Sequence, residues 1–93
     1  MRVPKTHAQR RRQRIQAYGI TVDQYNAMYK AQEGGCYICG EPEIGKALSI
    51  DHDHVSGKVR GLLCSNHNRA LGLLKDDPDL LLKAHEYLVK DHG

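Results

Sequence analysis

The sequence predicts an α+β fold: a small core of one β-hairpin and one helix, flanked by N-terminal helices and a C-terminal helix. Three observations predict it. Two short strand-like runs, residues 47–50 and 58–63, stand on either side of a Ser56–Gly57 turn signal. Segments with apolar residues at spacings of three and four precede and follow that pair. Two pairs of side chains able to ligate a metal, Cys36/Cys39 and Cys64/His67, bracket it. The length of 93 residues predicts a single domain over 1–93, with a basic N-terminal segment at 1–14 and the core at 36–74.

Taken in order, residues 5–18 can form a first helix. Ile15, Ala17 and Tyr18 lie near its end, and Gly19 is a plausible stop because glycine enters the left-handed conformation at low cost. Thr21 opens a second helix, with Gln24 three residues on completing a capping box. Val22, Tyr25, Met28 and Tyr29 share one face of it and read as core. Gly34 and Gly35 end that helix, and Cys36 to Gly40 reads as a knuckle turn that brings backbone amides close to a thiolate. A loop broken by Pro42 and Gly45 leads into the hairpin, with Asp51, His52, Asp53 and His54 near its start. The pattern turns helical again from Ser65 or Asn66, with Ala70, Leu71 and Leu74 suited to a buried stripe. Asp77 as N-cap and Pro78 at the first helical position open a last helix, whose apolar face carries Leu81, Ala84, Tyr87 and Leu88.

A chain of 93 residues without Trp or Phe builds a modest core, and domains of that size commonly depend on a metal or on disulfides. Three cysteines are an odd number, which argues against a complete disulfide framework and for reduced thiols inside a cell. No apolar run approaches the length of a membrane span, and the basic N-terminus lacks an apolar signal core. The expectation is a soluble, intracellular, cytoplasmic protein with no membrane partner. The net charge of +3 is mild, but Arg2, Lys5, Arg10, Arg11, Arg12 and Arg14 all precede the first acidic residue, Asp23. Such a block is either a phosphate-binding surface, with Arg10, Arg11, Arg12 and Arg14 as nucleic-acid contacts, or a solvated helix face.

Zinc takes four tetrahedral ligands drawn from thiolate and imidazole, and two ligands on one turn can grip the same ion. Cys36 and Cys39 supply one grip, Cys64 and His67 the other, and the 24 residues between Cys39 and Cys64 suffice for a loop and a hairpin. Every cysteine is used. A site closed by four protein ligands has no position for substrate, so this Zn²⁺ is expected to be structural, its binding energy contributing to folding.

Asp51 and His52 fall at the end of the first strand, and Asn68 at a helix start just past the last zinc ligand. A hard cation such as Mg²⁺ wants oxygen ligands and keeps several waters. The Asp51 carboxylate and the Asn68 amide oxygen would supply two. Phosphodiester hydrolysis also needs a general base, and neutral His52 is the candidate. Activity of that kind falls below about pH 6.5, where a free imidazole becomes protonated. Alternation along a strand turns Asp53 away from His52, so Asp53 reads as a structural or solvent-facing carboxylate. Lys58 and Arg69 could touch a DNA backbone or be solvated. His7, His85 and His92 have no partner spacing and read as surface residues.

The run CYICG at 36–40 followed by LSIDHDHVSGKVRGLLCSNHNRALG at 48–72 resembles the recombination endonuclease VII family, within the HNH or ββα-metal nucleases. The preceding stretch YGITVDQYNAMYKAQEGGCYICG is similar to the helix that leads into the Cys pair in that family, so the likeness covers roughly residues 15–90. The resemblance implies a ββα-metal core in which Asp51 and Asn68 bind the catalytic Mg²⁺ or Mn²⁺ and His52 activates water. It also implies that His54 is a further active-site histidine at the scissile phosphate, and that the zinc keeps hairpin and helix in register. The product would carry a 5′-phosphate and a 3′-hydroxyl. Lys58 and Arg60 are candidate nucleic-acid contacts, Arg60 with the alternative of an exposed strand residue. A phage origin is implied as well.

The sequence departs from the family in two places. The fourth zinc ligand is usually Cys and here is His67, and Cys₃His is itself an established zinc site type. Junction-resolving members carry further C-terminal helices for dimerisation, whereas this sequence stops at Gly93, which bears on four-way-junction specificity more than on nuclease chemistry. The expected function is therefore a metal-dependent DNA endonuclease or nickase. The alternatives are a dimeric Holliday-junction resolvase, a non-catalytic zinc-ribbon module that binds nucleic acid, and a cleavage domain directed by a targeting partner. Monomer and homodimer both remain open.

Overall fold

A computed structural model describes residues 3–91; Arg2 of the basic block and His92 lie outside the described residues. Four helices and one two-stranded antiparallel sheet follow in the order α1 (His7–Gln16), α2 (Val22–Ala31), β1 (Ser49–His52), β2 (Val59–Leu63), α3 (Ser65–Leu73) and α4 (Pro78–Val89). The α+β class read from the sequence is the class observed.

Two identical devices start α1 and α2. Thr21 Oγ1 accepts from the Gln24 amide at 3.1 Å, and the Gln24 side chain accepts from the Thr21 amide at 2.8 Å. Thr6 and Gln9 repeat the arrangement at the same distances, a second capping box. Each cap satisfies amide donors that no helical carbonyl can reach. From α1 only Ile15 is fully buried and from α2 only Tyr25, so the two helices place one anchor each against the hairpin. Tyr29, expected in the buried stripe of α2, is 47% exposed, because the hairpin is too small to cover that whole face.

Leu48, Ile50, Leu62 and Leu63 complete the core with Cys36. The strands sit slightly later than the apolar runs suggested, since the ladder pairs Ser49 with Leu63, Ile50 with Leu62 and Asp51 with Gly61. Between Asp51 and His52 the register shifts, so that His52 faces Val59 and Arg60 becomes the extra residue of a bulge. Gln32, just past α2, acts as a third strand in miniature. Its amide nitrogen donates to Leu62 O at 2.9 Å while its amide oxygen accepts from Leu62 N at 3.0 Å. The hairpin loop is held by Asp53, whose Oδ1 accepts from the Val55 and Ser56 amides, both at 2.8 Å.

The N-cap of α3 is Cys64, which offers no capping side chain. Glu43, from the loop after the knuckle, reaches across instead, its Oε2 accepting from the Ser65 amide at 2.6 Å. A carboxylate at a helix N-terminus is favoured by the peptide dipoles as well as by the hydrogen bond. Ala70, Leu71 and Leu74 are half-buried. The chain then turns through Lys75 and Asp76, at φ of 57° and 55°, into α4. Asp77 caps α4 by accepting from the Asp79 amide at 2.9 Å. No residue of α4 is fully buried, and Leu82, Tyr87 and Leu88 remain more than half exposed, so its apolar face does not pack into the core.

Candidate metal and catalytic sites

The knuckle hangs from β2. Tyr37 N donates to Leu62 O at 3.0 Å, Cys36 N to Glu41 O at 2.9 Å and Gly40 N to Cys36 O at 2.8 Å, closing a tight turn around the first cysteine. Gly35 is obligatory there: a Cβ would lie 2.1 Å from Gly40 O. The turn brings Cys36 and Cys39 opposite the start of α3, where Cys64 and His67 are one turn apart.

The four ligand atoms lie within 4.8 Å of one another. Cys64 Sγ is 3.1 Å from His67 Nδ1, Cys36 Sγ is 3.9 Å from the same nitrogen, and Cys39 Sγ is 4.0 Å from Cys64 Sγ. A tetrahedron with Zn–S near 2.3 Å and Zn–N near 2.0–2.1 Å needs edges of about 3.8 Å between sulfurs and about 3.6 Å between sulfur and nitrogen. The cluster spans those values, so the Cys₃His group could hold zinc. Burial opposes ionisation of Cys36, but amides of Cys39, Cys64 and Ile38 outweigh it and bring its thiol down to about 6. Cys39 moves the other way: the Glu41 amide favours its thiolate, but burial and the neighbouring thiols Cys36 and Cys64 outweigh that donor. A crowd of thiols with one favoured as thiolate is the electrostatic setting that a cation relieves.

Asp51, His52, His54 and Asn68 line one cavity of about 260 Å³ together with Tyr18, Ile50, Gly72 and Asp76. Three segments position them: β1 carries Asp51 and His52, the hairpin turn His54, and α3 Asn68. Asp51 and His52 end β1, and Asn68 sits in the first turn of α3, its amide donating to Cys64 O at 3.0 Å. Among the described residues the Asn68 side-chain amide has no hydrogen-bond partner, so its oxygen is available to a ligand. The His52 and His54 rings stack at 5.0 Å with planes 18° apart, and Tyr18 lies against His52 at 5.5 Å. Asp53 points instead into its own turn, where the amides of Ser56 and Val55 hold its carboxyl below the usual range.

Asp51 is buried and ionically paired. Arg60 Nε donates to its Oδ2 at 2.7 Å and Arg60 Nη2 to its Oδ1 at 3.0 Å. The same Nη2 donates to Asp76 Oδ1 at 3.0 Å. Hydrogen bonding to Asp51 first, and then to Asp76, raises the guanidinium above its ordinary value. Arg60 in turn holds the Asp76 carboxyl down. Arg60, a candidate DNA contact from the sequence, thus has its Nε and Nη2 engaged within the protein while its side chain stays 37% exposed. Lys58 is exposed on the hairpin turn.

The basic face divides. Arg10, Arg12 and Arg14 are exposed. Arg11 lies over the Tyr25 ring at 5.1 Å and donates to Asn26 Oδ1 at 3.1 Å, which ties α1 to α2. Arg11 and Arg14 line a second cavity, of about 270 Å³, that shares Tyr18, Ile50 and Asn68 with the first. Tyr18, Asp76 and Glu43 were not legible as site or support residues, because their partners are distant in sequence and no spacing rule links them.

The recombination endonuclease VII family matches residues 10–90. This chain belongs to that family. Among relatives, it is 46% identical over 78 residues to the gene 59 protein of Mycobacterium phage D29, covering 82% of this chain and 47% of the relative. The gene 59 protein of Mycobacterium phage L5 is 46% identical over 77 residues, covering 81% and 47%. The chain therefore spans about half the length of the curated relatives it matches. No helix among the described residues is long and apolar enough to cross a membrane.

Proposed function

We propose that this endonuclease VII family member is a divalent-metal-dependent DNA endonuclease of the HNH, ββα-metal type. The observation that carries the reading is the convergence of Asp51, His52, His54 and Asn68 on one cavity beside the Cys₃His cluster. The Cys₃His group would hold a structural zinc, which when bound would tie the start of α3, and with it Asn68, to the knuckle. The Asp51 carboxylate and the Asn68 amide oxygen would hold Mg²⁺ or Mn²⁺, which when bound offsets negative charge on the phosphate and the leaving oxygen. His52 takes the proton from the attacking water at an imidazole nitrogen, and contacts with the Tyr18 and His54 rings keep that imidazole in one orientation. His54 donates to a non-bridging phosphate oxygen. Arg10, Arg12 and Arg14 attract the DNA backbone through contacts that carry no base-sequence information.

The phage origin of the relatives supports an intracellular, phage-encoded role. One observation favours a dimeric junction resolvase as a second reading, namely the exposed Leu82, Tyr87 and Leu88 on α4. The two readings differ in solution mass and in preference for four-way over linear DNA. The test of the first is nicking of supercoiled plasmid with added Mg²⁺, lost on chelation of that ion and absent from Asn68→Ala. DNA binding without cutting under all metal conditions would leave a non-catalytic zinc-ribbon module.

A further inference from the structure

We propose that Arg60, anchored by Asp76, is the positioning residue that sets the orientation of the Asp51 carboxylate toward a catalytic cation; this rests on the nuclease reading. The bulge makes the contact possible. In an unbroken ladder Arg60 would point to the face opposite Asp51, because its neighbour Gly61 is the residue paired with Asp51. The extra residue re-aims Arg60 onto the Asp51 face, and Gly61, lacking a side chain, leaves that face open. The guanidinium then binds both carboxylate oxygens, at 2.7 and 3.0 Å, which fixes the plane of the group as a single hydrogen bond could not. Each oxygen keeps a lone pair for another ligand.

Asp76 supplies the second half of the device. It stands at the end of the α3 turn, at φ 55°, with its amide donating to Leu71 O at 2.8 Å. Its carboxylate holds Arg60 Nη2 at 3.0 Å. Asp51 on β1 is thereby tied through Arg60 to the far end of the helix whose first turn carries Asn68. The spacing of the two oxygen donors is set at both ends of α3, by the zinc cluster at its start and by Arg60–Asp76 at its finish. Hydrogen-bonded partners behind a metal ligand commonly change affinity or activity by about 10–100-fold when removed.

The test uses the zinc-loaded full chain in a His52→Ala background, so that a bound DNA duplex stays whole. Free Mn²⁺ is followed by electron paramagnetic resonance during titration, and zinc content and thermal melting are measured on each variant. Asp51→Asn is expected to lose the Mn²⁺ site. Arg60→Lys, which keeps the charge but not the fork, is expected to raise half-saturating Mn²⁺ by about 10-fold or more. Asp76→Asn, which leaves the fork on Asp51 and removes only its anchor, is expected to raise it by a smaller factor, and it decides the matter alone if Arg60→Lys does not fold. Unchanged or tighter Mn²⁺ binding in Arg60→Lys and Asp76→Asn, with Asp51→Asn defective, overturns this inference and leaves the nuclease reading standing. An Asp51→Asn titration equal to its parent overturns the proposed cation site and this inference with it.

Discussion

His52 and His54 stack ring on ring at 5.0 Å, with Asp53 between them in sequence turned away into the hairpin loop. The two imidazoles stand in different surroundings, because His52 ends β1 and lies against Tyr18 whereas His54 sits in the hairpin turn. If His52 takes the proton and His54 holds phosphate, their removal has different signatures. His54→Ala should lower the turnover rate by about 10–100-fold while the fall in rate on acidification persists. Loss of that pH dependence in His54→Ala, measured as single-turnover rates from pH 5 to 8, would move the base to His54.

The knuckle turn carries the second prediction. Gly35→Ala would place a Cβ 2.1 Å from the Gly40 carbonyl oxygen, and that oxygen belongs to the turn that shapes the cysteine pair. Backbone must move to relieve it, so the substitution should cost at least about 1–3 kcal/mol, in the range of overpacked cores. Thermal melting and zinc stoichiometry should fall together. An unchanged melting temperature would mean that the turn is looser than its hydrogen bonds indicate.

Zinc removal should unfold the chain. Among the described residues the largest side chains under 2% exposed are Ile15 and Leu62, too little buried core to hold the hairpin and α3 together alone. Chelation, His67→Ala or Cys64→Ser should abolish cooperative melting, while His67→Cys should keep one zinc per chain, since a thiolate serves the same tetrahedral corner. A folded, metal-free chain by circular dichroism would contradict this.

Acid should loosen the hairpin turn and the α3 end. Asp53 and Asp76 both have carboxyls held below the ordinary 3.8, the first by amides of Ser56 and Val55, the second by Arg60. A depressed carboxyl adds stability that is fully present above its ordinary value and is lost as pH falls through the folded one. The stability gap between the parent and Asp76→Asn should therefore be constant from pH 5 to 8 and begin to close only below about pH 4. A gap that opened on acidification would reverse the sign and sink the assignment. At Asp53, Asn can accept the same amides, so Asp53→Asn should melt above Asp53→Ala.

The exposed arginines supply a salt test. Each phosphate neutralised contributes about 0.9 to the slope of log affinity against log salt for duplex DNA. Replacing Arg10, Arg12 and Arg14 together by Ala should reduce that slope by up to about 2.7 with little change in melting. Arg11→Ala should instead lower the melting temperature, because Arg11 bridges α1 to Tyr25 and Asn26. A slope unmoved by the triple substitution would leave the N-terminal segment as a solvated face.

Local chemistry made much of this legible. Thr21 with Gln24, Asp77 with Pro78, and the paired Cys and His spacings each act over a few residues, and each appears where the sequence put it. What escaped depends on contacts that sequence spacing does not encode. Arg60 is the exposed strand residue that the sequence allowed, but its contact with Asp51 depends on a one-residue bulge, and its link to Asp76 crosses sixteen positions. Glu43 caps a helix twenty-two residues on, at a position where Cys64 gives no hint of a cap. The stripe of α2 reads as core from periodicity alone, but Tyr29 stays 47% exposed because so small a hairpin covers only part of that helix.

The most direct measurement is plasmid nicking with Mg²⁺ by the parent chain and by His52→Ala. His52 lies outside the Cys₃His cluster, so the variant should keep its zinc and its fold. The account predicts cutting by the parent and a loss of at least about 100-fold in the variant. Equal cutting by the two proteins would contradict it.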